Sequence, residues 1–344
     1  MPVPGSLADV TKAAGPATQS AEERAGSGGG VRRVGWLALL MVWVLWGSTY
    51  FAIRVGVQTL PPLLMAGARY VIAGLAMFPF ALRGGGPARR TADRPRARHW
   101  WSAALVGTLL LAGGNGGVSV GERSVPSGLA ALLVATVPLW LIVIDRVVNG
   151  TRIGLGAMAG LLAGVAGVGF LAGLFGGSGG IGGHGGGGAS GGGGVLGTGV
   201  IIILAASVSW ASGTIASRRV PLPARPLLAT AMQMLAGGVV LLAVAAVTGE
   251  FGRFDPAHVS VASLLALAYL IGPGSIIAFS AYVVAVRRLP TATVATYAYV
   301  NPIIAVILGT SLLGETVTVP MMLGGALVIV AVVLVLRSQA NAGH

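Results

Sequence analysis

Long apolar stretches follow one another from residue 34 to residue 336, separated by short polar or proline-containing links. An α-helix rises about 1.5 Å per residue and a bilayer core is about 30 Å thick, so about 17–25 apolar residues suffice to cross it. Ten such stretches are legible, at residues 34–53, 61–82, 100–120, 127–144, 153–175, 195–216, 226–248, 260–284, 291–313 and 320–336. The pattern predicts an all-α integral membrane protein with the lipid bilayer as its main solvent. Composition agrees, with 55% apolar residues and only 9% charged ones, too few to cover a water-facing surface. Residues 1–31 are polar and contain glycine, with no apolar core of the kind a cleavable signal requires, and read as part of a disordered tail.

Charge orients the stretches. With the first link placed outside, the inner side collects eighteen basic residues, among them Arg32 and Arg33, six arginines from Arg83 to Arg98, Arg146, Arg152, Arg218, Arg219, Arg225, Arg287, Arg288 and Arg337. The outer side holds Arg54, Arg123 and Arg253. This positive-inside bias predicts cytoplasmic termini. It also accounts for the net charge of +13 without nucleic acid as a partner.

Shifted by 164 residues, the chain aligns with itself without a gap. Trp46 falls on Trp210, Ser48 on Ser212, Arg54 on Arg218, Pro62 on Pro226, Gly74 on Gly238, Pro126 on Pro290 and Pro138 on Pro302. Each half holds five stretches, an odd number, so the second half starts on the opposite side from the first. Such inverted repeats place a solute site near the midplane and permit alternating access. Between the halves runs "GGSGGIGGHGGGGASGGGG", a flexible coil that reaches about 24 Å. The organisation expected is a cytoplasmic tail (1–33), a five-helix repeat (34–175), an external glycine-rich linker (176–194), a second repeat (195–337) and a short cytoplasmic tail (338–344).

The segments "LWGSTYFAIRVG", "LPPLLMAGARYVIAG", "VPSGLAALLVATVPL", "VSWASGTIASRRVPLP" and "ATYAYVNPIIAVILGTSLLGETVT" resemble the EamA family of the drug/metabolite transporter superfamily. The resemblance spans roughly residues 34 to 337. It implies two inverted five-helix repeats in a bacterial inner-membrane setting, with small solutes usually moved outward. Two features depart from the family pattern. "NGTRIG" at Asn149 to Gly154 stands where the family often carries a Gly-Glu pair like Gly314-Glu315, and the glycine linker is long.

Arg69 is the unusual residue. It lies about 12 Å into the second stretch by helical rise, where a charge costs about 2.5–3.5 kcal/mol on insertion scales. Such a group faces a cavity, where it would attract anionic or zwitterionic solutes, or else it ties down helix carbonyls or snorkels outward. Its repeat partner is the neutral Gln233. Polar and aromatic stripes recur at helical spacing: Trp43, Trp46 and Tyr50 in the first stretch, Ser207, Trp210 and Thr214 in the sixth, and Thr293, Tyr297 and Asn301 in the ninth. Polar groups in lipid need partners, so these stripes should face inward, as cavity lining or as helix–helix contacts, and Asn115 joins them. Pro138 and Pro302 each remove a backbone donor and are candidate hinges. Gly156, Gly160 and Gly164 form a small-residue stripe suited to close helix packing.

Function classes narrow accordingly. The chain has no cysteine, and His99, His184, His258 and His344 fall in expected loops or tails, which leaves neither a metal cluster nor a base for a nucleophile and argues against an enzyme or a cofactor. No ring of like charges suggests a channel. No acidic residue sits in mid-stretch, so the sequence points to uniport or to coupling through substrate charge, with Glu122 and Glu315 as distant coupling candidates. The reading is a transporter exporting small metabolites or drugs, the alternative a flippase for an amphipathic lipid-linked substrate. The sequence leaves the oligomeric state open, a homodimer included.

Overall fold

The computed structural model describes residues 17–84, 93–151, 153–172 and 192–342. The fold is all-α. Its principal helices are α1 (Ala17–Gly56), α2 (Pro62–Arg83), α3 (Ala97–Gly121), α4 (Ser127–Asn149), α5 (Leu155–Leu171), α6 (Gly192–Ser217), α7 (Pro226–Val247), α8 (Val261–Arg288), α9 (Tyr297–Leu313) and α10 (Val319–Ala342). Eight contain a stretch long and apolar enough to cross a membrane, and α5 and α9 are shorter apolar helices. Residues 1–16 and most of the glycine linker, His184 with it, lie outside the described residues.

Helix boundaries follow local chemistry. Proline at the first position of α2 and α7 has φ preset for a helix and lacks only an N–H that would be orphaned there. At the other ends of α4 and α9, Gly150 and Gly314 adopt left-handed φ of 68° and 64°. A Cβ is disfavoured in that conformation, so glycine is the natural stop. Helix α1 begins at Ala17, well before the expected 34; residues 17–25 are rich in Ala, Glu and Arg, good helix formers that replace the expected disordered tail there. Likewise α10 continues to Ala342 through the segment expected to be a tail.

The two halves contact each other in a reciprocal pattern. The equivalent helices α2 and α7 pack on one another, as do α5 and α10. Helix α1 packs on α8 and α9, and its counterpart α6 packs on α3 and α4. Equivalent helices run antiparallel: a Cβ on Gly67 would meet Leu242 and one on Gly74 would meet Leu235, so rising numbers on α2 face falling numbers on α7. The same holds for α5 and α10, where a Cβ at Gly160 would lie 2.8 Å from the Ala331 carbonyl and one at Gly167 2.9 Å from the Gly324 carbonyl. Close approach therefore rests on Gly160 and Gly167; Gly164 faces Leu139 and Ala331, and Gly156 lies at ordinary distance from Ser338. Helix α10 buries Val328, Ala331, Val332 and Val335 completely.

Irregularities recur in both halves. Helices α3 and α8 each contain a π-helical segment, Thr108–Gly116 and Gly272–Ile277, with starting positions exactly one repeat apart. Helix α4 breaks between Val134 and Val137, and a short turn, Thr291–Val294, precedes α9 after a similar break. Each break holds a threonine whose hydroxyl donates to the carbonyl three residues back and accepts from a tryptophan indole: Thr136 with Leu133 and Trp140, Thr296 with Thr293 and Trp43. Pro138 sits just after the first break, where it leaves the Val134 carbonyl without its i+4 donor. Pro302 lies inside α9, about a turn past the second break.

Candidate functional site

A cavity of about 430 Å³ lies where the halves meet, lined from α1, α2, α3, α4, α6, α8, α9 and α10. Arg69 lines it while being only 3% exposed. Its Nε donates to Ser275 Oγ at 2.8 Å and its Nη2 to the Gly274 carbonyl at 3.3 Å. The π-helical segment of α8 supplies both acceptors, one a hydroxyl and one a main-chain carbonyl. The guanidinium also lies 4.8 Å from the centre of the Tyr70 ring, a contact worth about 2 kcal/mol when desolvated. Arg69 thus both ties down a helix carbonyl and lines the cavity. No carboxylate pairs with it within salt-bridge distance among the described residues.

Four aromatic rings form the cavity's middle. Trp46 stacks edge-on against Phe279 and Tyr297 at 5.1 and 5.3 Å and lies 5.2 Å from Tyr282; Tyr282 and Tyr297 are 6.0 Å apart. Such rings suit a flat or amphipathic solute through their area and edge–face geometry. The far end carries Arg218, with Leu141, Val286 and Leu336. That end lies on the arginine-rich side of the molecule.

Of the residues singled out in the sequence, Arg69, Trp46, Tyr50, Asn115, Pro138, Ser207, Trp210, Thr214, Tyr297, Asn301 and Pro302 line this cavity. Trp43, Gln233 and Thr293 do not. Trp43 is turned to Thr296, Gln233 packs its backbone on Gly107, and the Thr293 carbonyl is taken by Thr296. Asn301, in the amide orientation its surroundings demand, donates to the carbonyls of Trp43 and Tyr297 at 3.2 Å each. Sequence reasoning missed Tyr70, Phe279, Tyr282 and Arg218. The repeat did hint at Arg218, since it pairs with Arg54. His99, expected in a loop, stands in the first turn of α3 and is buried.

The end opposite Arg218 is closed by links between the halves. Glu315 Oε1 accepts from the Ser127 N–H at 2.7 Å, and Oε2 from the Ser127 hydroxyl at 2.9 Å and the Gly128 N–H at 3.2 Å. Glu250 accepts from the Leu64 N–H at 2.8 Å. Both carboxylates serve helix starts that follow a proline and lack a side-chain cap of their own. Ser263 Oγ adds a bond to the Val55 carbonyl at 3.0 Å. Near this end Glu122 is fully buried, and neither carboxylate oxygen has a hydrogen-bond partner. The Arg54 guanidinium reaches its main-chain carbonyl instead.

Residues 33–173 and 197–337 each match the EamA-like transporter family. The chain belongs to that family. Among EamA relatives, an "uncharacterized inner membrane transporter YedA" of Escherichia coli strain K12 is 41% identical over 299 residues, which cover 87% of this chain and 89% of that one. A "probable terminal-alkyne amino-acid exporter" of Streptantibioticus cattleyicolor is 29% identical over 303 residues (87% and 92%). A "probable amino-acid metabolite efflux pump" of Salmonella typhimurium is 26% identical over 321 residues (87% and 93%). A crystal structure at 20% identity superposes with a TM-score of 0.56 over 91% of this chain and 99% of its own, a likeness of fold alone. The EamA chain is thus a multi-pass membrane transporter.

Proposed function

We propose that the protein exports small metabolites or drugs by alternating access between two inverted five-helix repeats, residues 34–175 and 195–337, joined by an external glycine-rich linker. All ten helices cross the membrane in this reading, and both termini face the cytoplasm. The antiparallel course of equivalent helices and their reciprocal contacts support the inverted arrangement. The positive-inside bias supports the orientation, with the Arg218 end cytoplasmic. The described state is then closed outward by Glu315 and Glu250. Relatives named as an efflux pump and an exporter support the outward direction.

One observation carries the reading: a buried guanidinium, with no carboxylate in ion-pair reach among the described residues, lines a cavity shared by both halves. Only two of its five N–H donors are engaged in the bonds above, so an anionic or zwitterionic solute would find donors there. The aromatic group between Arg69 and Arg218 would hold the solute's apolar part. Pro138 and Pro302, both on the cavity wall, are the proposed hinges. The test compares metabolites released by cells overexpressing the chain with those from its Arg69→Gln variant and empty-vector cells. A set of released solutes lost in the variant supports the reading. Identical profiles in all three contradict it, and enrichment of a lipid-linked species would favour a flippase.

A further inference from the structure

Glu122 stands out among the acidic groups of the described residues. It lies in the link after α3, is 0% exposed, and has both carboxylate oxygens unpartnered, whereas the buried Glu250 has a backbone donor. A buried ionised carboxylate without hydrogen bonds is costly, so a group held in this way takes up a proton. Its surroundings bear this out. Burial pushes its carboxyl well above the ordinary carboxylate range; Arg54 and Arg69 oppose that, and Glu315 adds to it. Tyr50 of α1 and Tyr70 of α2 are the other titratable groups on the facing helices. The packed face of α6 and the first part of α4 contribute none, and the neighbouring Arg123 is exposed.

We propose that Glu122 is a proton-binding site whose occupancy holds this end of the transporter shut. The proposal rests on the alternating-access reading above. In the closed state the carboxyl is neutral and tolerates its dry, unpartnered position. When the end opens, water reaches it, the O–H bond breaks, the proton passes to water, and the carboxylate is left hydrated. Since the closed state binds the proton more tightly, acid favours closure, and a rise of pH through the raised pKa favours opening. The repeat position is Val286, on the opposite end, so the control acts on one side only.

The chain has no native cysteine, so any introduced thiol is unique. Ser119→Cys places one a turn before Glu122, at a position 1% exposed, and Val286→Cys places one at the other end, at a position 44% exposed. The purified full-length chain in detergent is labelled with a small charged thiol reagent across about pH 5 to 9, a range that buried glutamates reach. Rates are divided by those of the unfolded chain at the same pH. The proposal predicts that Ser119→Cys labelling rises by up to about tenfold per pH unit above the titration point. With Glu122→Gln added it should stay slow and flat. An equal pH response with and without Glu122→Gln overturns the proposal.

Glu315→Gln, which loosens the cap on α4, separates the two readings. If it speeds Ser119→Cys labelling while pH does not, the proton site is wrong and alternating access stands. If neither thiol responds to it or to pH, alternating access fails and the proton site falls with it. Should Glu122→Gln fail to fold, infrared spectra of the otherwise unaltered Ser119→Cys chain decide. A protonated-carboxyl stretch at neutral pH that fades on alkalinisation, in step with labelling, supports the site; its absence overturns it.

Discussion

Glu315 and Ser127 lie 188 residues apart in sequence, yet the Glu315 carboxylate accepts the backbone N–H and the hydroxyl of Ser127 at 2.7 and 2.9 Å. A side chain from the second half thereby caps a helix of the first. The turn that makes it reachable is Gly314, in the left-handed region. Its repeat counterpart Gly150 makes the same turn, but the residue after it is Thr151, which carries no charge. The cavity reaches the Arg218 end, near that uncharged turn, while the Glu315 end is sealed.

Glu315→Gln should therefore shift the equilibrium toward opening at the sealed end. A hydrogen bond to a charged group is worth about 1.5–3 kcal/mol, which is roughly a tenfold to hundredfold change in the ratio of states. Thr151→Glu, which puts a carboxylate at the position one repeat away from Glu315, should act in the opposite sense. Thiol accessibility at Ser119→Cys and Val286→Cys checks both, with reciprocal changes expected.

Arg69→Lys should lose most transport even though the charge is kept. The ammonium cannot reproduce the planar fork that reaches Ser275 and Gly274 together. Ser275→Ala, which removes the Nε partner and leaves a buried donor unpaired, should cost about 1–3 kcal/mol of stability. Release assays and thermal unfolding of the full chain separate the two effects.

Asp93 provides a pH test outside the spans. Burial alone would raise its carboxyl, but the N–H groups of Ala224 and Arg225 and the Arg225 guanidinium hold it below the ordinary carboxylate range. A carboxylate with a depressed folded pKa stabilises the fold above its unfolded pKa of about 4, and that contribution is lost as pH falls through the folded value. The wild-type melting temperature should fall below about pH 4. Asp93→Asn should start lower and show less of this acid loss.

Gly107→Ala should destabilise the crossing of α3 and α7. The added methyl would meet the Gln233 carbonyl and the Gly237 backbone at 2.5 and 3.0 Å, atoms that cannot swing aside. Overpacking of this kind costs about 1–3 kcal/mol, visible as a lower unfolding temperature. The exposed Gly252, with open space around it, should accept alanine freely.

Much of the architecture is legible in the sequence because bilayer length and helical rise constrain it directly. Eight of the ten apolar stretches fall in helices long and apolar enough to cross a membrane, the fifth and ninth fall in shorter apolar helices, and Pro62 and Pro226 mark true starts. The repeat offset also foretells features that no propensity rule would find, such as the matched π-helical segments at Thr108 and Gly272. Depth and facing are harder. Trp43 and Trp46 share a helical face, yet only Trp46 reaches the cavity, because Thr296 engages Trp43. The caps from Glu315, Glu250 and Asp93 join residues more than a hundred positions apart, beyond any local signal. Glu122 looked like a loop acid, and only packing against α6 and its neighbours reveals its burial.

Paired spin labels on the full-length chain in lipid bilayers test the central claim most directly. One pair replaces Thr59 and Ser260, which touch at the sealed end, and the other Leu141 and Val286, which line the cavity at the opposite end. The account predicts that Glu315→Gln lengthens the first distance and shortens the second. Two distances that stay fixed, or that lengthen together, would contradict it.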